Sequence, residues 1–156
     1  KAIQKAIGPM LGILVLSALL AVPLVQTVRT VHQFVRPEVR TVAEKWTMDH
    51  LSAGSRIAAE SYTPLLTDRF DVTYVGRLAD YSPSWYVEND FDYLVASSAT
   101  YGRYYSDASK YKTEISAYEQ LFTSFTMLAE VQGPFKFLAE PAGVIRFYQV
   151  SPVAED

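Results

Sequence analysis

Residues 6 to 28, AIGPMLGILVLSALLAVPLVQTV, contain no charged side chain, and the rest of the chain mixes apolar and charged positions throughout. A helix of that length, rising about 1.5 Å per residue, reaches across the roughly 30 Å hydrocarbon core of a bilayer. Gly8, Pro9, Gly12 and Pro23 suit a water-exposed helix poorly and are tolerated in lipid. Lys1 and Lys5 stand before the run and Arg29 closes it. A secretory signal would have a shorter apolar region and a clearer small-residue cleavage site than SALLAVPL offers. A buried core helix would be shorter or show a polar face. The pattern therefore predicts a transmembrane helix with its flank over residues 1–30.

Beyond the run the period changes. Pro37 suits the first position of a helix, and Val39, Val42, Ala43 and Trp46 recur at helical spacing. Arg40, Glu44, Lys45 and Asp49 occupy the other face, and SAGS with Gly54 ends the segment in a turn. This predicts an exit helix within residues 31–53. Short strands follow: RIAAE (56–60), DVTYV (71–75) and FDYLVA (91–96). Thr63-Pro64 predicts a short helix through Leu65 and Leu66. Ser82-Pro83 is a helix cap followed by proline, with Trp85 and Val87 as the buried side. Glu114 to Ala129 predicts the longest helix of the domain, striped by Ile115, Tyr118, Phe122 and Phe125. Phe135–Leu138 and Val144–Val150 flank AEPAG and predict a hairpin. The expected fold class is α/β: an N-terminal transmembrane helix, then a small, mostly parallel, three-layer-like sheet with a C-terminal antiparallel hairpin. The domain spans 54–150, with a tail over 151–156.

The totals narrow the chemistry. The chain of 156 residues is long enough for one domain with a real core and, starting at Lys1, reads as part of a longer protein. A formal charge of −3 gives no footprint for nucleic acid. The absence of cysteine excludes disulfides and thiolate chemistry, and His32 and His50 lack partners at metal-ligand spacing. Eleven tyrosines and eight phenylalanines fall mostly after residue 60, where a core must be built.

Ligands of open α/β sheets collect at the carboxyl ends of strands. Those ends carry Glu60 and Tyr62, then Arg77, then a ligand-edge loop expected over Ser97 to Tyr105, with Ser97, Ser98, Tyr101, Arg103 and Tyr104. A carboxylate, guanidiniums and phenols suit a sugar or phosphate; tyrosine is equally at home where a core meets water. Asp90-Phe91-Asp92 is a D-x-D triplet of the kind that holds a divalent metal, but it precedes its strand, where Asp92 serves to start that strand. Ser97 and Ser98 lie in no G-x-S-x-G elbow, and neither a P-loop nor a G-x-G-x-x-G occurs. His50, beside Asp49, reads as a surface or packing residue, and Glu60 has no identifiable partner carboxylate. No catalytic residue, metal site or cofactor is assigned to this chain.

The order of these features carries a resemblance. Trp46 lies on the exit helix, and Gly54-Ser55 precedes a strand ending in Glu60 to Tyr62. Asp92 to Ser98, Arg103-Tyr104, the helix YEQLF over Tyr118 to Phe122 and Gly133-Pro134 before the closing β pair follow. This resembles the C-terminal portion of polytopic glycosyltransferases of the protein-mannosyltransferase and aminoarabinose-transferase superfamily, over nearly the whole chain. The resemblance implies a parent enzyme that moves a sugar from a polyprenyl-phosphate donor to an acceptor. Its catalytic acids lie in an N-terminal external loop that nothing in this chain matches, and its metal dependence is open. The chain would then be an accessory domain anchored in the lipid bilayer and facing away from the cytoplasm. That orientation opposes the basic-residue count, in which Arg29, Arg36, Arg40 and Lys45 after the run outnumber the two lysines before it. The competing reading is a single-span anchored domain that captures a small ligand.

Overall fold

The computed structural model describes residues 17, 19–28, 31, 38–66, 68–133 and 143–150. The chain forms two compact units, residues 1–37 and 38–156. In the first, residues 19–28 are helical and expose Leu19, Leu20, Val22, Leu24, Val25 and Val28. No helix among the described residues is long and apolar enough to cross a membrane. Residues 6–16 and 18 of the uncharged run lie outside the described residues, as do Pro37, the segment Phe135–Leu138 and the tail.

The second unit begins with α1 (Val39–His50), which buries Ala43 and Thr47. The strands β1 (Arg56–Glu60), β2 (Asp71–Val75), β3 (Tyr93–Ser97), β4 (Thr126–Gln132) and β5 (Val144–Gln149) form a five-stranded sheet in the order β2-β1-β3-β5-β4. β1 pairs parallel with β2 and β3, while β5 pairs antiparallel with β3 and β4. The sheet is therefore mixed, parallel at one end and antiparallel at the other, rather than mostly parallel. Helices α2 (Pro83–Glu88), α3 (Ser98–Tyr105) and α4 (Lys112–Ser124) and a 3-10 turn at Leu78–Asp80 complete the unit.

Strand alternation sends side chains to two cores. Ala58, Leu94, Ala96 and Tyr148 face one core with Leu78, Tyr86, Tyr101, Tyr104, Tyr118 and Leu121. Ile57, Ala59, Val95, Ile145 and Phe147 face the other with Ala43 of α1 and Phe70.

Four local expectations change. The segment after Thr63 forms no helix: the Tyr74 hydroxyl accepts from Leu66 N at 2.9 Å and donates to Pro64 O at 3.3 Å, holding the segment open. Ser98–Tyr105 is a helix, not a loop; the Ser97 hydroxyl caps it by accepting from Ala99 N at 3.3 Å. The long helix stops at Ser124, because Thr126–Gln132 leaves it to pair with β5. The hairpin partner of β5 is thus β4, in register from Thr126↔Gln149 to Gln132↔Val144.

Candidate functional site

β1 sits between its two parallel neighbours, and the chain leaves β1 and β2 toward opposite faces. After β1 it reaches Leu66 and Phe70, packed on the α1 side; after β2 it reaches Leu78 and Tyr86 on the other. That divergence is the topological switch point where open α/β sheets form crevices. A cleft of ≈ 440 Å³ lies there, lined among others by Arg40, Ser61, Tyr62, Leu65, Tyr74 and Gly76.

Glu60, at the end of β1, contributes to the cleft floor, but its carboxylate turns inward and is fully buried. One oxygen accepts from Ser97 N at 2.6 Å; the other accepts from Leu78 N at 3.2 Å and from the Tyr118 hydroxyl at 2.9 Å. The carboxylate therefore ties the first turn of α3, the 3-10 turn and α4 to the central strand. Burial pushes its pKa up to about 7, against the three hydrogen bonds and the positive charge of Arg103, which favour ionisation. Tyr118 is held well above the ordinary phenol range by burial and then by the negative charge of Glu60. The pair is sealed from solvent, so Glu60 acts here as a structural knot.

Beside it, Arg77 and Arg103 converge on one phenol oxygen, donating to the Tyr104 hydroxyl at 3.2 and 2.7 Å. Arg77 is also paired with Asp80, while exposed Arg103 lies 4.9 Å over the Tyr104 ring. A second cavity of ≈ 210 Å³ opens between Arg77, Asp80, Glu114 and Tyr118. Of the residues expected from the sequence, Glu60, Ser97, Arg77, Arg103 and Tyr104 thus gather at one edge of the sheet. Tyr62 faces the cleft instead. Ser98 is engaged elsewhere, its hydroxyl accepting from Val144 N at 2.8 Å. Tyr101 lies in the core against Phe122 and beneath Arg146, and burial raises its pKa to about 12.

The D-x-D pair holds no metal geometry: Asp92 accepts from Arg56 N at 2.8 Å and starts the strand. Among the described residues no group of three potential ligands is close enough to hold a metal ion. His50 stacks on Trp46 with centroids 4.7 Å apart. Sequence reasoning missed Arg40, Tyr74 and Tyr118 as site residues. Arg40 reads as the solvated face of an amphipathic helix, Tyr74 as one strand residue among several, and Tyr118 as a member of a core stripe. Only the strand-end position of Tyr74, one residue before Val75, offered a signal.

The class defined by these features is an α/β domain with a mixed five-stranded sheet and a switch-point cleft. Comparison of the chain with protein-family models, curated proteins and solved structures finds no match.

Proposed function

We propose that the chain is an accessory extracytoplasmic domain of a membrane glycosyltransferase that transfers sugar from a polyprenyl-phosphate donor. The uncharged N-terminal run is its membrane span, and the catalytic loop is supplied elsewhere in the parent. The supporting observation is a convergence. Residues dispersed through the motif order that carries the resemblance meet at the strand ends in two adjoining hydrogen-bonded sets. These are Glu60 with Ser97 and Tyr118, and Arg103 with Tyr104; the ring centroids of Tyr104 and Tyr118 lie 6.0 Å apart. The exposed, charge-free helical residues 19–28 fit a lipid environment. In this reading Arg103 faces the acceptor or the lipid phosphate, where a guanidinium is the fitting donor.

The test is Arg103→Ala in the full-length enzyme. Turnover with a lipid-linked sugar donor is expected to fall about tenfold, the effect of removing one charge-assisted contact to the reacting complex. Membrane extraction at alkaline pH should leave the protein in the bilayer. Unchanged turnover removes this patch from the mechanism. A second reading, a single-span anchored binding domain, is favoured by the cleft, which this chain forms by itself. Hydrophobic spans encoded before Lys1 would support the transferase; a start codon just upstream would support the anchored binder.

A further inference from the structure

Tyr62 has a left-handed backbone, φ 66°, which is costly for a bulky side chain. It is locked in place on both sides. The Thr63 hydroxyl donates to Glu60 O at 2.6 Å, and the Thr100 hydroxyl donates to Ser61 O at 2.6 Å. The locked backbone nevertheless leaves Tyr62 65% exposed, lining the cleft. An aromatic ring held in a strained conformation and left bare contributes little to the core; strain of this kind concentrates at ligand sites.

Tyr74 supplies a second face. Its hydroxyl is anchored by Leu66 N and Pro64 O, so the ring is held in place, yet the residue is 49% exposed and lines the same cleft. A ring already fixed loses little further entropy when a ligand covers it. Leu65, 80% exposed, extends the apolar lining. Polar residues sit among these surfaces: Ser61 and Arg40 both line the cleft. Arg40 donates from Nε and Nη2 to both oxygens of Glu38, at 2.6 and 3.1 Å. Its charge is therefore compensated, and its remaining N–H groups are suited to neutral acceptors.

We infer that this cleft is a binding site for a neutral saccharide, whose C–H face packs on Tyr62 and Tyr74 while its hydroxyls meet Arg40 and Ser61. Flat apolar faces edged by hydroxyls are what pinned aromatic rings flanked by uncharged-equivalent donors match. The volume lies in the range of small-ligand sites. An anion is disfavoured because Arg40, the cation among the cleft's lining residues, is already paired with Glu38. The cleft would hold this saccharide without the parent's catalytic loop, so its binding is read on the chain itself and separately from transferase turnover.

The experiment uses the full 156-residue chain in lipid nanodiscs, without sugar-containing detergents. Saturation-transfer NMR is run with methyl mannoside, methyl glucoside, methyl arabinoside and mannose 6-phosphate. At least one neutral glycoside should receive saturation on its ring C–H protons and bind more tightly than the phosphate. Tyr62→Ala should weaken binding about tenfold or more. Tyr62→Gly should weaken it equally while the melting temperature holds or rises, since glycine adopts this φ freely. Tyr81→Ala, an exposed ring outside the cleft stacked on Trp85, should leave affinity unchanged. Absence of transfer from every glycoside, tighter binding of the phosphate, retained affinity in Tyr62→Gly, or a lowered melting temperature in that variant would each overturn the assignment.

Discussion

Glu60→Ala lowers the unfolding free energy of the chain by about 3–5 kcal/mol, the expected range when one partner of a buried charged network is removed. The carboxylate is fully buried and takes three donors. Truncation leaves Ser97 N–H, Leu78 N–H and the Tyr118 hydroxyl without an acceptor, at about 1–3 kcal/mol for each group that stays buried and unmet. Relief of the buried charge offsets part of that sum, which is why the total falls below the simple addition. Tyr118→Phe separates the contributions: it removes one donor, leaves the two backbone amides paired and should cost only about 1 kcal/mol. Urea denaturation at pH 7 distinguishes the two. A Glu60→Ala cost no larger than that of Tyr118→Phe would mean that the amides find other partners and that the knot does not organise the strand ends.

The same carboxyl group gives the protein an unusual pH response. Its pKa in the folded chain is raised to about 7, above the ordinary value of 4.5. Between those values the folded chain holds a proton that the unfolded chain has released, so stability declines as pH rises through this window. The contribution is fully present below about pH 4.5 and lost above about pH 7. A separation of that size amounts to about 3 kcal/mol. Most buried carboxylates that are paired with cations behave oppositely and lose stability in acid. The expected result is a higher urea midpoint at pH 5 than at pH 8 for the native chain, and a flattened profile for Glu60→Gln. A midpoint that falls from pH 5 to pH 8 by the same amount in both proteins would assign the response to other groups, and a native midpoint that does not fall would overturn it.

Much of the parallel half of the sheet was legible because its strands are apolar runs bounded by breakers. Gly54 takes φ 82° just before β1, and Gly76 follows β2. The antiparallel half was not. Tyr118, Phe122, Phe125 and Leu128 keep helical spacing across the true helix end, and no glycine or proline separates Ser124 from Thr126. What ends α4 is the ladder with β5, a long-range contact that local periodicity cannot carry. Likewise Ser97–Tyr105 looked like a polar loop, although Tyr101 and Tyr104 lie three apart on one helix face and turn inward. The site divides in the same way. Strand-end logic selected Glu60, but its acceptor role depends on Ser97 and Tyr118, which lie 37 and 58 positions away. The strain at Tyr62 and the pairing of Arg40 with Glu38 depend on conformation, and no residue pattern announces either.

Phe147→Ala should cost about 3–5 kcal/mol, the range for truncating a fully buried aromatic. For a domain whose total stability is on the order of 5–15 kcal/mol, that is a large share. The consequence reaches beyond the cavity. Phe147 lies on β5, paired with Val95 on one side and Ala129 on the other, and its ring centroid is 4.4 Å from that of Trp46 on α1. Trp46 in turn stacks on His50. Removing Phe147 takes away the surface on which α1 rests, and α1 also carries Arg40 to the cleft. Trp46 emission should therefore shift toward the red, read against a Trp85→Phe background that removes the other tryptophan. Any saccharide affinity of the cleft should weaken with it, because one of its polar walls loses support. Met127→Ala on β4, 53% exposed, serves as the comparison and should change stability by no more than about 0.5 kcal/mol. If Phe147→Ala is tolerated as well as Met127→Ala and leaves Trp46 emission unmoved, α1 is held to the sheet by something other than this aromatic contact, and the route from the helix to the cleft wall fails with it.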